Sequence, residues 1–206
     1  VIRRLWARIV EQYEPEHSCS MATYVFGETS KRYFAVADMH TNMIRTTTMV
    51  ASAALGGADA IHALPFDVHR SKNAEFGQRI ARNVSLILQE ESYLQRVLDP
   101  AGGSYFLDEL SEDLSNKAWA FFQEIEGAGG FMNAVNSNMI QNRIEEEASK
   151  ELEALQNGER TMVGVNKFPN SKDDLFDLVP SETPKAKDFK PLHTQRISDP
   201  PELALK

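Results

Sequence analysis

The residues of this chain that could bind or transform a ligand are a few acids and histidines around its predicted strands. Glu28 follows one predicted strand, and Asp59 and His62 belong to the next. Asp38 and His40 are separated by one residue and are of types that bind metal ions. His62 is the candidate substrate-binding residue. A core or rim position is the alternative, because histidines on short strands commonly serve packing.

The composition argues against several classes of function. The net charge is −8, and no basic face is visible of the kind that nucleic-acid phosphates require. The longest apolar stretch, residues 49–61, is interrupted by Ser, Gly and Asp and is too short to span a bilayer. The single Cys19 cannot form an internal disulfide, which fits a reducing compartment, and we interpret it as an inert small residue.

Strand and helix patterns alternate in the first third of the chain, which predicts an α/β fold with parallel strands. After a helix at the start of the chain, residues 21–26 are a predicted strand and residues 38–55 a predicted helix. Gly56 and Gly57 end that helix because glycine accepts the left-handed cap. Residues 58–64 are the second predicted strand, and Pro65 ends it by removing a ladder donor.

Longer helical patterns follow. Residues 79–92 form an amphipathic helix whose apolar stripe includes Val84 and Ile87. A second helix is predicted from a cap at Ser111, with Leu114, Ala118 and Phe122 on its buried side, until the glycines near residue 129 stop it. A third includes Ile140 and Leu155, and residues 162–165 are a predicted last strand. From Pro169 onward six prolines in 33 positions favour an extended tail.

Eight strings follow one another in this sequence between about residue 3 and residue 168: 3–7, 42–46, 56–62, 79–92, 99–105, 117–119, 124–130 and 163–167. Together they resemble the C-terminal part of the acyl-CoA-binding barrel of methylmalonyl-CoA mutases. These enzymes use adenosylcobalamin to interconvert methylmalonyl-CoA and succinyl-CoA.

The resemblance implies a partial (β/α) barrel of the TIM type over residues 1–168, with long helices, followed by the Pro-rich tail or linker at 169–206. A complete barrel needs about 250 residues, and this chain has 206. Its start at Val1, inside a predicted helix, suggests a cut through a larger protein. A sheet of three or four strands would expose unpaired edges, so we expect an oligomer or a tail that wraps the sheet.

The family's functional strings are only partly matched. The cobalamin-ligand motif is Asp-x-His-x-x-Gly, and the nearest string here, Asp38-Met-His40-Thr-Asn-Met43, lacks the glycine. Glu28 occupies the position of a glutamine that touches acyl-CoA in catalytic mutases. In the next strand Asp59 replaces a second glutamine, and only His62 matches. Acids at these places would repel an anionic thioester, so the resemblance assigns no catalytic residue.

The resemblance leaves three hypotheses open. The leading one is a non-catalytic, small-subunit-like chain that stabilises a catalytic mutase subunit, because small chains also carry a Gly-Gly-Ala-Asp-like string followed by Pro-Phe-Asp, as at 56–59 and 65–67. The second is a fragment of a catalytic acyl-CoA mutase with altered acyl specificity, and the third an independent binding module. We expect adenosylcobalamin in the complex rather than on this chain. The expected compartment is the cytoplasm, or the mitochondrial matrix in a eukaryote.

Overall fold

The computed structural model describes residues 1–70, 75–170, 190–192 and 195–198. Helices dominate it, and between them lies one small parallel sheet. The helices are α1 (Ile2–Glu11), α2 (Thr41–Leu55), α3 (Glu75–Glu90), α4 (Tyr105–Gly127), α5 (Phe131–Asn136) and α6 (Met139–Gln156), and the strands are β1 (Phe26–Glu28) and β2 (Ala60–His62). Short 3-10 turns occupy Ser18–Met21, Lys31–Tyr33 and Leu94–Arg96.

The sheet confirms the α/β class but differs from the strands predicted in detail. β1 pairs with β2 in parallel, with Gly27 opposite Ile61. The strand predicted at 21–26 was misplaced, because the chain enters the sheet only at Val25, whose carbonyl accepts from the amide of Asp59. At residues 162–165 there is an isolated bridge from Val163 to Lys167 rather than a strand. Within the described residues no barrel is formed.

Helices α2 and α3 pack together beside the sheet. Val50 of α2 forms a buried cluster with Val84 of α3, which belongs to the predicted stripe, and with Leu88, which does not. α3 begins before the predicted start, and its Ile87, assigned to the buried stripe, is exposed. The predicted end of α2 is confirmed, since the helix stops at Leu55 and the next turn contains a glycine with positive φ.

The N-cap of helix α4 lies seven residues before the predicted cap. Ser104 is the N-cap, and its Oγ accepts from the amide of Leu107 at 3.4 Å. Ser111 lies inside the helix, where its carbonyl accepts from Ser115 Oγ, so the prediction of a cap at Ser111 was wrong. The start of α4 was predicted too late because Ser111, like a typical cap, is followed by acids. The residues directly after Ser104 are apolar, so they do not resemble the first turn of a helix.

Part of the C-terminal segment belongs to the core. Ile197 is buried with Ala35, Leu155 and two residues of the 162–165 turn, and its amide donates to the carbonyl of Arg32 at 3.0 Å. The rest of the predicted tail, 171–189, 193–194 and 199–206, lies outside the described residues. None of the helices in the described part of the chain is both long enough and apolar enough to cross a membrane.

Candidate functional site

The carboxyl ends of β1 and β2 bring together two of the residues singled out in the sequence. Glu28 lies opposite His62 in the parallel register, and Oε2 of Glu28 is 2.8 Å from Nδ1 of His62. The two side chains are 48% and 54% exposed, respectively. Parallel strands of α/β folds present ligand-binding groups at this end, so the pair is the candidate site.

Thr29 fixes the backbone just beyond the pair. Its amide donates to the carbonyl of His62 at 3.1 Å, and its buried hydroxyl accepts from the amide of Leu64 at 2.9 Å. One hydrogen bond joins the loop after β1 to the last residue of β2, and the other joins it to the loop after β2. The relative position of Glu28 and His62 is therefore set by the backbone as well as by their own contact.

Asn42, at the start of α2, ties the same two loops together. Its side chain is fully buried, and its amide nitrogen donates to the carbonyls of Ala35 at 2.7 Å and Phe66 at 3.0 Å. Its amide oxygen accepts from the amide of Ala35 at 3.1 Å. One side chain thus satisfies three buried backbone groups that have no strand or helix partner in these loops.

A second histidine borders the site. Nε2 of His69 lies 2.9 Å from the carbonyl oxygen of Lys31. Because a carbonyl only accepts, Nε2 carries the proton in this contact. His69 therefore joins the loop after β2 to the 3-10 turn after β1 and helps to frame the carboxyl end of the sheet.

The Glu28–His62 pair has a defined chemistry. A carboxylate that accepts from Nδ1 orients the imidazole and fixes its tautomer. Nε2 then faces outward and has no hydrogen-bond partner within the part of the chain that the structure describes. Such a nitrogen can bind a hydrogen-bonding group or exchange a proton with it. A substrate contact of His62 remains a prediction.

Asp59 lies at the opposite end of the sheet from this pair. It is three residues before His62, roughly 10 Å away at the rise of a strand, and its Oδ2 accepts from the amide of Val25 at 2.6 Å and from Arg3 at 2.7 Å. The hydrogen bond from Val25, with that from Arg3, lowers the pKa of Asp59 below its usual value. Of the two acids singled out in the sequence, Glu28 therefore lies at the carboxyl end of the strand pair and Asp59 at the amino end.

The Asp38–His40 string lies at the start of α2. Oδ2 of Asp38 accepts from the hydroxyl of Thr41 at 2.5 Å, at the start of α2, as expected of a helix-starting residue. His40 is exposed, and its ring lies 5.5 Å from that of Phe66. Across the described ranges, no three His, Cys, Asp or Glu side chains are grouped to hold a metal ion. Cys19 is exposed and unpaired by any disulfide.

The sequence of this chain was compared with those of known proteins and families. The family model described as "Methylmalonyl-CoA mutase" matches residues 1–199. A methylmalonyl-CoA mutase of Cereibacter sphaeroides is 40% identical over 86% of this chain and 25% of its own length.

Two further relatives come from Streptomyces virginiae. The small subunit of its methylmalonyl-CoA mutase is 40% identical over 81% of this chain and 27% of its own length. The large subunit is 32% identical over 86% of this chain and 24% of its own length. The chain thus spans about a quarter of the length of the curated relatives that it matches.

Proposed function

Because this chain belongs to the methylmalonyl-CoA mutase family, we propose that it is part of an adenosylcobalamin-dependent mutase that interconverts methylmalonyl-CoA and succinyl-CoA. Its role in that enzyme is that of a non-catalytic, small-subunit-like chain that packs against a catalytic subunit and stabilises it. The partner supplies the cofactor site, and any acyl-CoA binds in the complex.

The observation that carries this proposal is the Glu28–His62 pair. Where the family resemblance expects a neutral amide that touches acyl-CoA, this chain places a carboxylate already bonded to an imidazole. Methylmalonyl-CoA brings a carboxylate and several phosphates, and a carboxylate placed against them repels these like charges. A chain that retains the strands but presents an acid there is suited to support a partner rather than to bind the substrate.

The remaining parts of the proposal concern organisation. Residues 1–168 form a sector of the mutase barrel, and residues 169–206 form its extended tail. In Streptomyces virginiae the similar chains are named as a large and a small subunit, which supports a subunit partner for this chain, with self-association as the other arrangement. The compartment is the cytoplasm or, in a eukaryote, the mitochondrial matrix.

A second candidate is a fragment of a catalytic acyl-CoA mutase with altered acyl specificity. It is favoured by the half-exposed side chain of His62 at the carboxyl end of the strands, and by the 40% identity to a relative that is not named as a small subunit. In this case Glu28 and His62 contact an acyl group that differs from the methylmalonyl group.

Substituting the pair in the assembled enzyme separates the two candidates. The full-length protein that contains this chain is purified with its native partner, and adenosylcobalamin-dependent turnover of methylmalonyl-CoA is compared for wild type, Glu28→Gln and His62→Ala. Glu146→Gln is the matched control, since Glu146 is also a half-exposed, ion-paired glutamate, but on α6.

If the chain has the non-catalytic role, we expect turnover to change less than tenfold in Glu28→Gln and in His62→Ala, as in the control Glu146→Gln. A larger change in either variant with the control unaffected, about 1.4 kcal/mol or more of barrier, rejects the non-catalytic role and favours the second candidate. Absence of turnover in the wild-type assembly contradicts the mutase activity itself.

A further inference from the structure

Helix α4 has most of its described side-chain contacts from Ser115 onward. Ser115 is buried, the rings of Trp119 and Phe122 lie 5.2 Å apart, and the guanidinium of Arg8 lies 4.1 Å from the ring of Trp119. Before Ser115, the ion pairs and side-chain hydrogen bonds that reach another helix of the described chain are limited to one exposed pair, Arg4 to Glu112 at 3.1 Å.

The first half of α4 presents an apolar face to solvent. Leu107, Leu110 and Leu114 are separated by three and four residues, which puts them on one side of a helix, and Phe106 lies one turn before Leu110. Phe106 is 71% exposed, and the three leucines are 39%, 42% and 49% exposed. We call these four residues the leucine face. Contiguous apolar surface of this kind marks an interaction site.

Acids border the leucine face. Asp108, Glu109, Glu112 and Asp113 are all exposed, and residues 105–114 contain no Lys or Arg. A second copy docked through the same face would set these acids against their own counterparts, which is unfavourable. The charge around the face therefore selects a different polypeptide, one with basic residues beside its apolar contacts.

We propose that the leucine face docks a helix of the partner mutase chain whose apolar stripe is flanked by Lys and Arg. This inference rests on the proposed function, since it names the surface through which the supporting chain holds its partner. The leucines supply buried area at the centre of the contact, and the acids at the rim select the orientation and speed the encounter.

The apolar part is tested with Leu110→Asp in the full-length protein that contains this chain. Leu86→Asp is the matched control, because Leu86 is a similarly exposed leucine on α3. The dissociation constant for the purified partner chain is measured by titration calorimetry. We expect Leu110→Asp to weaken binding at least tenfold and Leu86→Asp to change it less than twofold. Equal effects in the two variants would overturn the proposal.

The charged part is tested with the double variant Glu109→Lys and Asp113→Lys. We expect binding at least fivefold weaker at 50 mM NaCl, together with a shallower loss of affinity between 50 and 500 mM NaCl than in wild type, because the removed attractions are those that salt screens. Unchanged affinity or unchanged salt dependence would contradict a basic partner.

Other occupants of the face give distinct results, each of which overturns the proposal. Self-association of the wild type that Leu110→Asp abolishes would indicate a second copy. A thermal midpoint at least 5 °C lower for Leu110→Asp, with partner binding unchanged, would indicate that the face is covered within the same protein. If the wild type binds no mutase chain, the proposed function fails as well. If the wild type and Leu110→Asp bind the mutase chain equally well, the docking surface fails and the proposed function stands.

Discussion

The two ends of the β1–β2 pair each hold a carboxylate with a cationic or potentially cationic partner, but the two carboxylates are used differently. At the amino end, Asp59 accepts from a backbone amide and from Arg3, and Arg3 also donates to the carbonyls of Thr23 and Gly57. At the carboxyl end, Glu28 meets only the imidazole of His62 in the hydrogen bonds of the described chain.

Of the two acids, Asp59 is the structural one. Asp59 and Arg3 join α1 to both strands through backbone groups, so neither can move without breaking several hydrogen bonds. Glu28 and His62 form a contact between two half-exposed side chains, which can open without disturbing the backbone that Thr29 and Asn42 hold. At the amino end, Asp59 and Arg3 hold α1 and the two strands together. At the carboxyl end, the backbone forms a rigid frame, and within it the side chains of Glu28 and His62 can exchange partners.

The largest effect is expected for Asn42→Ala, which attacks the frame at the carboxyl end. The substitution leaves the carbonyls of Ala35 and Phe66 and the amide of Ala35 without their buried partner. We expect the free energy of unfolding to fall by about 3 kcal/mol, measured by urea denaturation at pH 7.

Asn133→Ala is the control for that prediction. Asn133 is exposed, and among the described residues its side chain bonds only the carbonyl of Gly129, so the unfolding free energy should change by less than about 0.5 kcal/mol. Equal losses in the two variants would show that Asn42 does not support the loops in the way the hydrogen bonds indicate.

A smaller effect is expected for Asp59→Asn at the amino end. The folded-state pKa of Asp59 is lowered, so its ionised form stabilises the protein above the ordinary value near 3.8, and this contribution is lost as pH falls through the folded-state pKa. We expect a thermal midpoint a few degrees below wild type at pH 7, with the gap narrowing near pH 3. A gap that is constant with pH would show that charge is not the cause.

Asp67 should respond with the opposite sign, and more weakly. Burial raises the pKa of this carboxyl, which lies in the loop after β2, so its ionised form costs stability above the folded-state pKa and protonation relieves that cost as pH falls. We expect Asp67→Asn to raise the thermal midpoint slightly at pH 7 and to lose this advantage toward pH 4. A lower midpoint at pH 7 would contradict the burial cost.

The smallest effect on stability is expected for Glu28→Gln. Exposed ion pairs contribute little, and Glu28 and His62 are each about half exposed, so the unfolding free energy should change by less than about 0.5 kcal/mol. The measurement is the urea midpoint at pH 7, beside Asp59→Asn. A larger loss for Glu28→Gln than for Asp59→Asn would reverse the comparison between the two ends.

The sequence predicted the helices better than the strands, for physical reasons. The stripe at Val84 and the glycines at 56 and 57 act within a few turns of helix, so they are visible in a local pattern. The start of β1 depends instead on hydrogen bonds between Val25 and Asp59, 34 positions apart. No local pattern contains that register.

The same limit applies to the candidate site. Glu28 and His62 were each singled out from the sequence, but their contact follows from the register of β1 on β2. Asn42 was noticed only as part of a family string, because an asparagine at the start of a helix does not reveal which carbonyls it will meet. Asp59 was singled out beside His62 in the same predicted strand, and the sequence alone did not show that it lies at the other end of the strand pair.

The segment that packs Ile197 into the core has a consequence for how the protein forms. Its neighbour Gln195 accepts a hydrogen bond from Arg32 at 3.2 Å across 163 positions of sequence, and Ile197 completes the cluster of Ala35 and Leu155. A ribosome delivers these pieces in order, and domains fold as they emerge. The interior around Ala35 therefore stays open to solvent, and to chaperones, until the ribosome has added the segment that contains Ile197.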